Sequence, residues 1–100
     1  MDYIIDESND SITVRLLGRF TYSDHSKFRN VIDKVKNSSF KNCIFDLSRL
    51  EFIDSTGLGM MVLANDVCER NGFTLRLINA QGRVRTVLER VEFSTIMTIN

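Results

Sequence analysis

The run Cys43-Ile44-Phe45 is apolar at three consecutive positions within residues 42–47, and no other segment restricts the fold as strongly. A strand without polar alternation reads as covered on both faces, the mark of a central strand in a parallel sheet. Parallel neighbours cannot be joined by tight turns and need helical crossovers. The chain supplies them. Phe28, Val31, Ile32 and Val35 share one helical stripe, with Arg29, Asn30, Asp33 and Lys34 outside it. Ser23 and Ser26 mark the start of that helix, and Asn37-Ser38-Ser39 its stop. Ser55–Arg70 reads as a second helix closed by Asn71-Gly72, and Val84, Val87, Leu88 and Val91 mark a third.

The remaining strands alternate with period two. Tyr3-Ile4-Ile5 is followed by a polar turn over residues 6–10. Ile12, Val14 and Leu16 then face one side, Thr13 and Arg15 the other, and Gly18 ends the strand. This pair reads as an antiparallel hairpin. Phe73, Leu75 and Leu77 alternate with Thr74 and Arg76 as a last strand. The order β-β-α-β-α-β-α predicts an α/β fold, a mixed sheet of about four strands with helices packed on it. The tail residues Phe93, Ile96, Met97 and Ile99 are too apolar to be left in water and are expected to pack back on the domain.

One hundred residues suit a single domain over 1–100. Thirteen Lys and Arg balance thirteen Asp and Glu, which argues against nucleic-acid binding, where an excess of cations faces phosphates. The zero net charge also leaves little repulsion against self-association, so a monomer or a weak dimer is expected. No stretch approaches the ~20 apolar residues of a membrane span, and no secretory signal opens the chain. Cys43 and Cys68 in apolar surroundings read as buried free thiols of a reducing compartment, so a cytoplasmic protein is expected.

The loop from Phe45 through Asp54-Ser55-Thr56-Gly57-Leu58-Gly59 carries most of the functional information. It runs from the carboxyl end of a buried strand into a helix, where function concentrates in open α/β sheets. Asp54 and Ser55 are strong N-cap types. Gly57 and Gly59 each cost a helix about 1 kcal/mol relative to Ala, so close approach of another backbone or surface is the expected gain. A capped helix whose small residues pack on the sheet is the plainer structural reading. Met60-Met61 follows, a soft pair that suits partner contact or core filling.

Enzymatic readings fail on chemistry. Ser55 lacks a nucleophile elbow, and the one histidine, His25, lies in another segment and reads as a surface or helix-cap residue. Val62 stands where a dinucleotide fingerprint needs its third glycine, and no lysine follows the glycines as a phosphate loop requires. Cys43, Cys68 and His25 are too few and too scattered for zinc. A nucleotide-binding enzyme would need tight nucleotide binding by the isolated domain. No cofactor, metal or catalytic residue is expected. Modification survives: a phosphate at a helix N-terminus meets free N–H groups and the positive dipole end, yet adds about −1.5 to −2 charge to an exposed ridge.

Ile44-Phe45-Asp46-Leu47, the core Phe52-Ile53-Asp54-Ser55-Thr56-Gly57-Leu58-Gly59 and the strand Phe73-Thr74-Leu75 resemble the STAS family, most of all its free-standing anti-anti-sigma factors. The resemblance covers essentially the whole chain. It implies a bacterial partner switch: the unphosphorylated protein binds an anti-sigma factor that doubles as a GHKL-type serine kinase, and so frees a sigma factor. Relatives with this loop also act on other targets. The kinase, using ATP and magnesium, phosphorylates a serine in this loop and binding is lost; a PP2C-type phosphatase restores it. By position, the resemblance implies Ser55 as phosphoacceptor, with Thr56 the alternative. Asp54 would hold the loop and take part in recognition. Thr56, Gly57, Leu58, Gly59 and Met60 would join it in the partner contact. The alternative role is a constitutive STAS subunit of an ABC-type lipid-transport complex, docked permanently on an ATPase through the same ridge.

Overall fold

The computed structural model describes residues 1–8, 10–90 and 98–99. The elements are β1 (Asp2–Ser8), β2 (Ser11–Phe20), a 3-10 turn (Tyr22–Asp24), α1 (His25–Lys36), β3 (Asn42–Ile53), α2 (Ser55–Arg70), β4 (Thr74–Ile78), α3 (Gly82–Arg90) and β5 (Thr98–Ile99). They form one sheet in the spatial order β1-β2-β3-β4-β5. β1 and β2 are antiparallel, and every other neighbouring pair is parallel. The mixed sheet and the element order follow the sequence pattern, with a two-residue fifth strand added beside β4. Ile99 of the apolar tail lies in that strand; Val91, Phe93, Ile96 and Met97 lie outside the described residues.

One face of the sheet is covered by helices. Ile12, Val14, Leu16, Cys43, Phe45, Leu47, Leu75 and Leu77 are buried there together with Phe28, Val31, Met61 and Ala64. Phe28 stacks tilted on Phe20 at 4.7 Å and meets Phe45 edge-on at 5.8 Å, locking α1 to β2 and β3. Val84 and Leu88 of α3 join the same core. The opposite face corrects one expectation. Thr13, Arg15 and Ile44 are half-buried there and Thr74 and Arg76 exposed, so the apolar run in β3 is fully covered on one side and only partly on the other.

Two further boundaries differ from the pattern. β1 runs to Ser8, leaving a tighter connection than the turn read over 6–10. Gly18 does not end β2: it sits inside the strand at φ +83°, where the pairing with β3 slips. Residues 48–53, read as a loop, continue β3. Between the pairs Arg15–Asp46 and Phe20–Ile53, β2 takes five steps while β3 takes seven, so β3 carries the extra residues of two bulges. The bulges bend the end of β3 and deliver residue 54 to the start of α2.

Cys43 on β3 and Cys68 on α2 are free and buried. The hydrogen bond it shares with Cys68, together with burial, pushes the Cys43 thiol above its ordinary range and keeps it neutral.

Candidate functional site

The amino end of α2 is fixed by one side chain. Asp54 Oδ1 accepts a hydrogen bond from the Gly57 amide at 2.8 Å, capping the helix, and Oδ2 accepts one from the Tyr22 amide at 3.1 Å. The Asp54 amide in turn donates to the Phe20 carbonyl at 3.1 Å, and the Leu58 amide to the Asp54 carbonyl at 3.0 Å. Both carboxylate oxygens are thus committed, one to α2 and one to the turn after β2. Among the described residues the Ser55 and Thr56 amides meet no acceptor, the ordinary condition of a helix start.

Around this cap the predicted site residues separate into two sets. Ser55, Thr56 and Gly59 are exposed and Leu58 is half-buried, and these form the outer ridge. Gly57 and Met60 face the fold. A Cβ on Gly57 would lie 2.7 Å from Ile53 Cγ1 and 2.9 Å from the Phe20 carbonyl oxygen, so glycine there is required by the approach of α2 to β2. Met60 is only 6% exposed and fills the core, which corrects its placement on the contact ridge. The buried helical stripe Gly57, Met60, Met61, Ala64 and Cys68 carries it inward. Gly59 is the opposite case. A Cβ there would meet nothing within 4 Å, so nothing in the fold requires its absence.

The turn opposite Asp54 escaped the reading of the motif. Asp24, 8% exposed, accepts hydrogen bonds from the Thr21 amide at 2.8 Å and the Met1 ammonium at 2.9 Å. Burial opposes ionisation of Asp24, but these donors prevail and hold its carboxyl below the usual range. Tyr22, held in that turn, is 73% exposed. The sequence offered only a partial signal: Thr21-Tyr22-Ser23-Asp24 has the spacing of a capping box, which marks an ordered turn but not which way Tyr22 points. His25 follows, exposed at the first position of α1.

Behind the cap, Phe52 and Ile53 line a groove of about 290 Å³ with Arg83, Thr86, Val87 and Arg90 of α3. The Arg19 guanidinium stacks on the Phe52 ring at 4.2 Å. On the open sheet face Asp46, 7% exposed, accepts hydrogen bonds from the Ser48 amide at 3.0 Å, Asn79 Nδ2 at 3.3 Å and Arg15 Nε at 3.3 Å. Burial raises its pKa, the Ser48, Asn79 and Arg15 donors lower it, and the donors win. Among the described residues no cluster of His, Cys, Asp and Glu is arranged to hold a metal ion, and no helix is long and apolar enough to cross a membrane.

Comparison with known proteins agrees with this architecture. The family model described as STAS domain matches residues 3–100. The STAS-domain containing protein PA14_20770 of Pseudomonas aeruginosa (strain UCBPP-PA14) is 27% identical over 89 residues, covering 89% of this chain and 87% of that one. An anti-sigma factor antagonist from Mycobacterium paratuberculosis superposes with a TM-score of 0.85 at 16% identity, over 98% of this chain and 83% of that one. The Bacillus cell fate determinant SpoIIAA, in its phosphorylated form, superposes with a TM-score of 0.73 at 19% identity, over 99% and 91% respectively.

Proposed function

The chain belongs to the STAS domain family, and from that premise we propose that it is a phosphorylation-controlled partner switch of the anti-sigma factor antagonist kind. In the unphosphorylated state the ridge Ser55, Thr56, Leu58 and Gly59 docks on an anti-sigma factor that is also a GHKL-type serine kinase, and so relieves its hold on a sigma factor or another target. The kinase transfers a phosphoryl group from magnesium-bound ATP to Ser55, with Thr56 the alternative acceptor. A PP2C-type phosphatase hydrolyses the phosphate ester with water, releasing inorganic phosphate and restoring the hydroxyl. The protein works in the cytoplasm and performs no catalysis itself.

The observation that carries this reading is the exposed hydroxyl of Ser55 on a helix start that is rigid without it. Asp54 supplies the cap to Gly57, and among the described residues the exposed Ser55 side chain holds no partner that modification would remove. A phosphate at the first position of α2 lies at the positive end of the helix dipole and is tolerated by the fold. Outside the fold, the same dianion meets whatever has docked on the ridge, and its charge and hydration oppose docking. The fold thus tolerates what the interface does not.

The test is phosphotransfer and binding with a GHKL-type kinase encoded by the same cell. Ser55→Ala should accept no phosphate and stay bound in the presence of magnesium and ATP. Ser55→Glu should remain folded and fail to bind. Phosphorylation of Ser55→Ala at the wild-type rate would move the acceptor to Thr56. Binding of Ser55→Glu as tight as wild type, with no phosphate acquired in cells, would replace the switch by a constitutively docked subunit.

A further inference from the structure

We propose that Tyr22 is the aromatic anchor of the docking surface around Ser55, its ring entering an apolar pocket of the partner kinase; this rests on the partner-switch reading above. Three large apolar side chains are exposed among the described residues, and Tyr22, at 73%, stands well beyond Ile4 at 46% and Leu63 at 37%. Among the described residues its ring makes no aromatic or cation–π contact, unlike Tyr3, which receives Lys34 at 5.3 Å. The fold draws little from this ring.

The backbone beneath it is nonetheless held from several directions. The Tyr22 amide donates to Asp54, the Thr21 amide donates to Asp24, and the Asp24 amide donates back to the Thr21 carbonyl at 3.0 Å. The hydroxyls of Thr21 and Ser23 share a hydrogen bond at 2.9 Å, and Asp24 also receives the Met1 ammonium. An exposed ring on an ordered turn has little backbone entropy left to lose on binding, which is the condition under which a tyrosine contributes most to an interface.

Position supplies the link to the switch. Asp54 holds the Tyr22 amide with one oxygen and caps the helix bearing Ser55 with the other, so one carboxylate ties the turn of Tyr22 to the helix start of Ser55. Half-buried Leu58 and bare Gly59 continue the surface on the α2 side. A partner that lies against Gly59 and brings a catalytic site to Ser55 works beside the turn that bears Tyr22, which packs against α2. The chemistry offered at that edge is a rigid aromatic wedge, and its complement is an apolar pocket.

The experiment reads the fraction of protein carrying phosphate on Ser55, by mass spectrometry, in cells that make the protein naturally. Wild type is compared with Tyr22→Ala, Tyr22→Gln and Tyr22→Phe, and the purified variants are melted to establish that the fold persists. The expected result is a loss on the order of tenfold or more for Tyr22→Ala and Tyr22→Gln, unchanged melting, and near wild-type phosphate for Tyr22→Phe. Full phosphorylation of Tyr22→Ala would overturn the anchor while leaving the switch intact. Loss in Tyr22→Phe equal to that in Tyr22→Ala would overturn the apolar pocket. Wild type that never carries phosphate on either Ser55 or Thr56 would remove the switch itself, and the anchor with it.

Discussion

Gly57 and Gly59 stand two residues apart in one helix turn, and their environments give them opposite duties. Adding a methyl at Gly57 drives it against the Phe20 carbonyl and Ile53 Cγ1, neither of which is a free side-chain end. Gly57→Ala is therefore expected to cost ~1–3 kcal/mol, the range for overpacking a close contact. At Gly59 the added methyl meets nothing, so Gly59→Ala should stabilise the isolated domain by ~0.5–1 kcal/mol through helix propensity alone. Urea unfolding of both variants checks the two signs. A stabilised Gly59→Ala that binds its partner less well would place the reason for that glycine in the partner contact. Asp54→Ala removes the acceptor of two backbone amides at once, Gly57 and Tyr22, and should cost about 1–2 kcal/mol, the upper range for a lost N-cap.

At the scale of elements, α2 is set by its cap and its buried stripe, and its start tolerates negative charge. Ser55→Glu adds a carboxylate at the first helical position, where the dipole favours it by ~0.3–1 kcal/mol. Its melting temperature should equal or slightly exceed that of wild type; a clear fall would mean that the Ser55 site belongs to the fold after all. The bounds of α2 were legible because Asp54 and Asn71-Gly72 are chemical stops at its two ends. The second half of β3 was hidden for a physical reason. Up to the first bulge its core positions are Cys43, Phe45 and Leu47, two apart; beyond it they are Leu50 and Ile53, three apart. An inserted residue breaks the alternation by which a strand is recognised, and Ser48, Arg49 and Glu51 then look like loop. Gly18 misled in the same way, since a glycine at positive φ inside a bulged pair has the composition of a strand end. The outer half of the site was legible from cap chemistry and small residues. The Met60 and Tyr22 assignments needed three-dimensional facts: which way a soft residue turns, and which segment crosses to meet Asp54.

Over the whole molecule, helices bury one face of the sheet, while carboxylates organise two places where other segments meet. Asp46 gathers Arg15 of β2, Ser48 of β3 and Asn79 from the connection after β4, and Asp24 gathers the Met1 ammonium and the turn before α1. Both carboxyls ionise below their ordinary pKa of 3.8 in the folded chain. The unfolded chain therefore holds these protons more tightly, and by linkage the folded state gains from ionisation above that pKa and loses the gain as pH falls through the lower folded values. Stability should be insensitive to these two groups near neutrality and should drop as the medium is acidified below about pH 4, where unfolded Asp begins to take up protons. Asp46→Asn keeps the shape but removes the charge that three donors share, so it should be less stable than wild type at pH 7. The gap should narrow as the pH falls below about 4, because the unfolded wild-type chain then takes up the proton that the folded carboxylate resists. Urea unfolding of both proteins from pH 7 down to pH 2 gives the comparison. A gap that stayed constant with pH would assign the loss to packing, and would leave the Asp46 charge with no part in holding β2, β3 and the β4–α3 connection together.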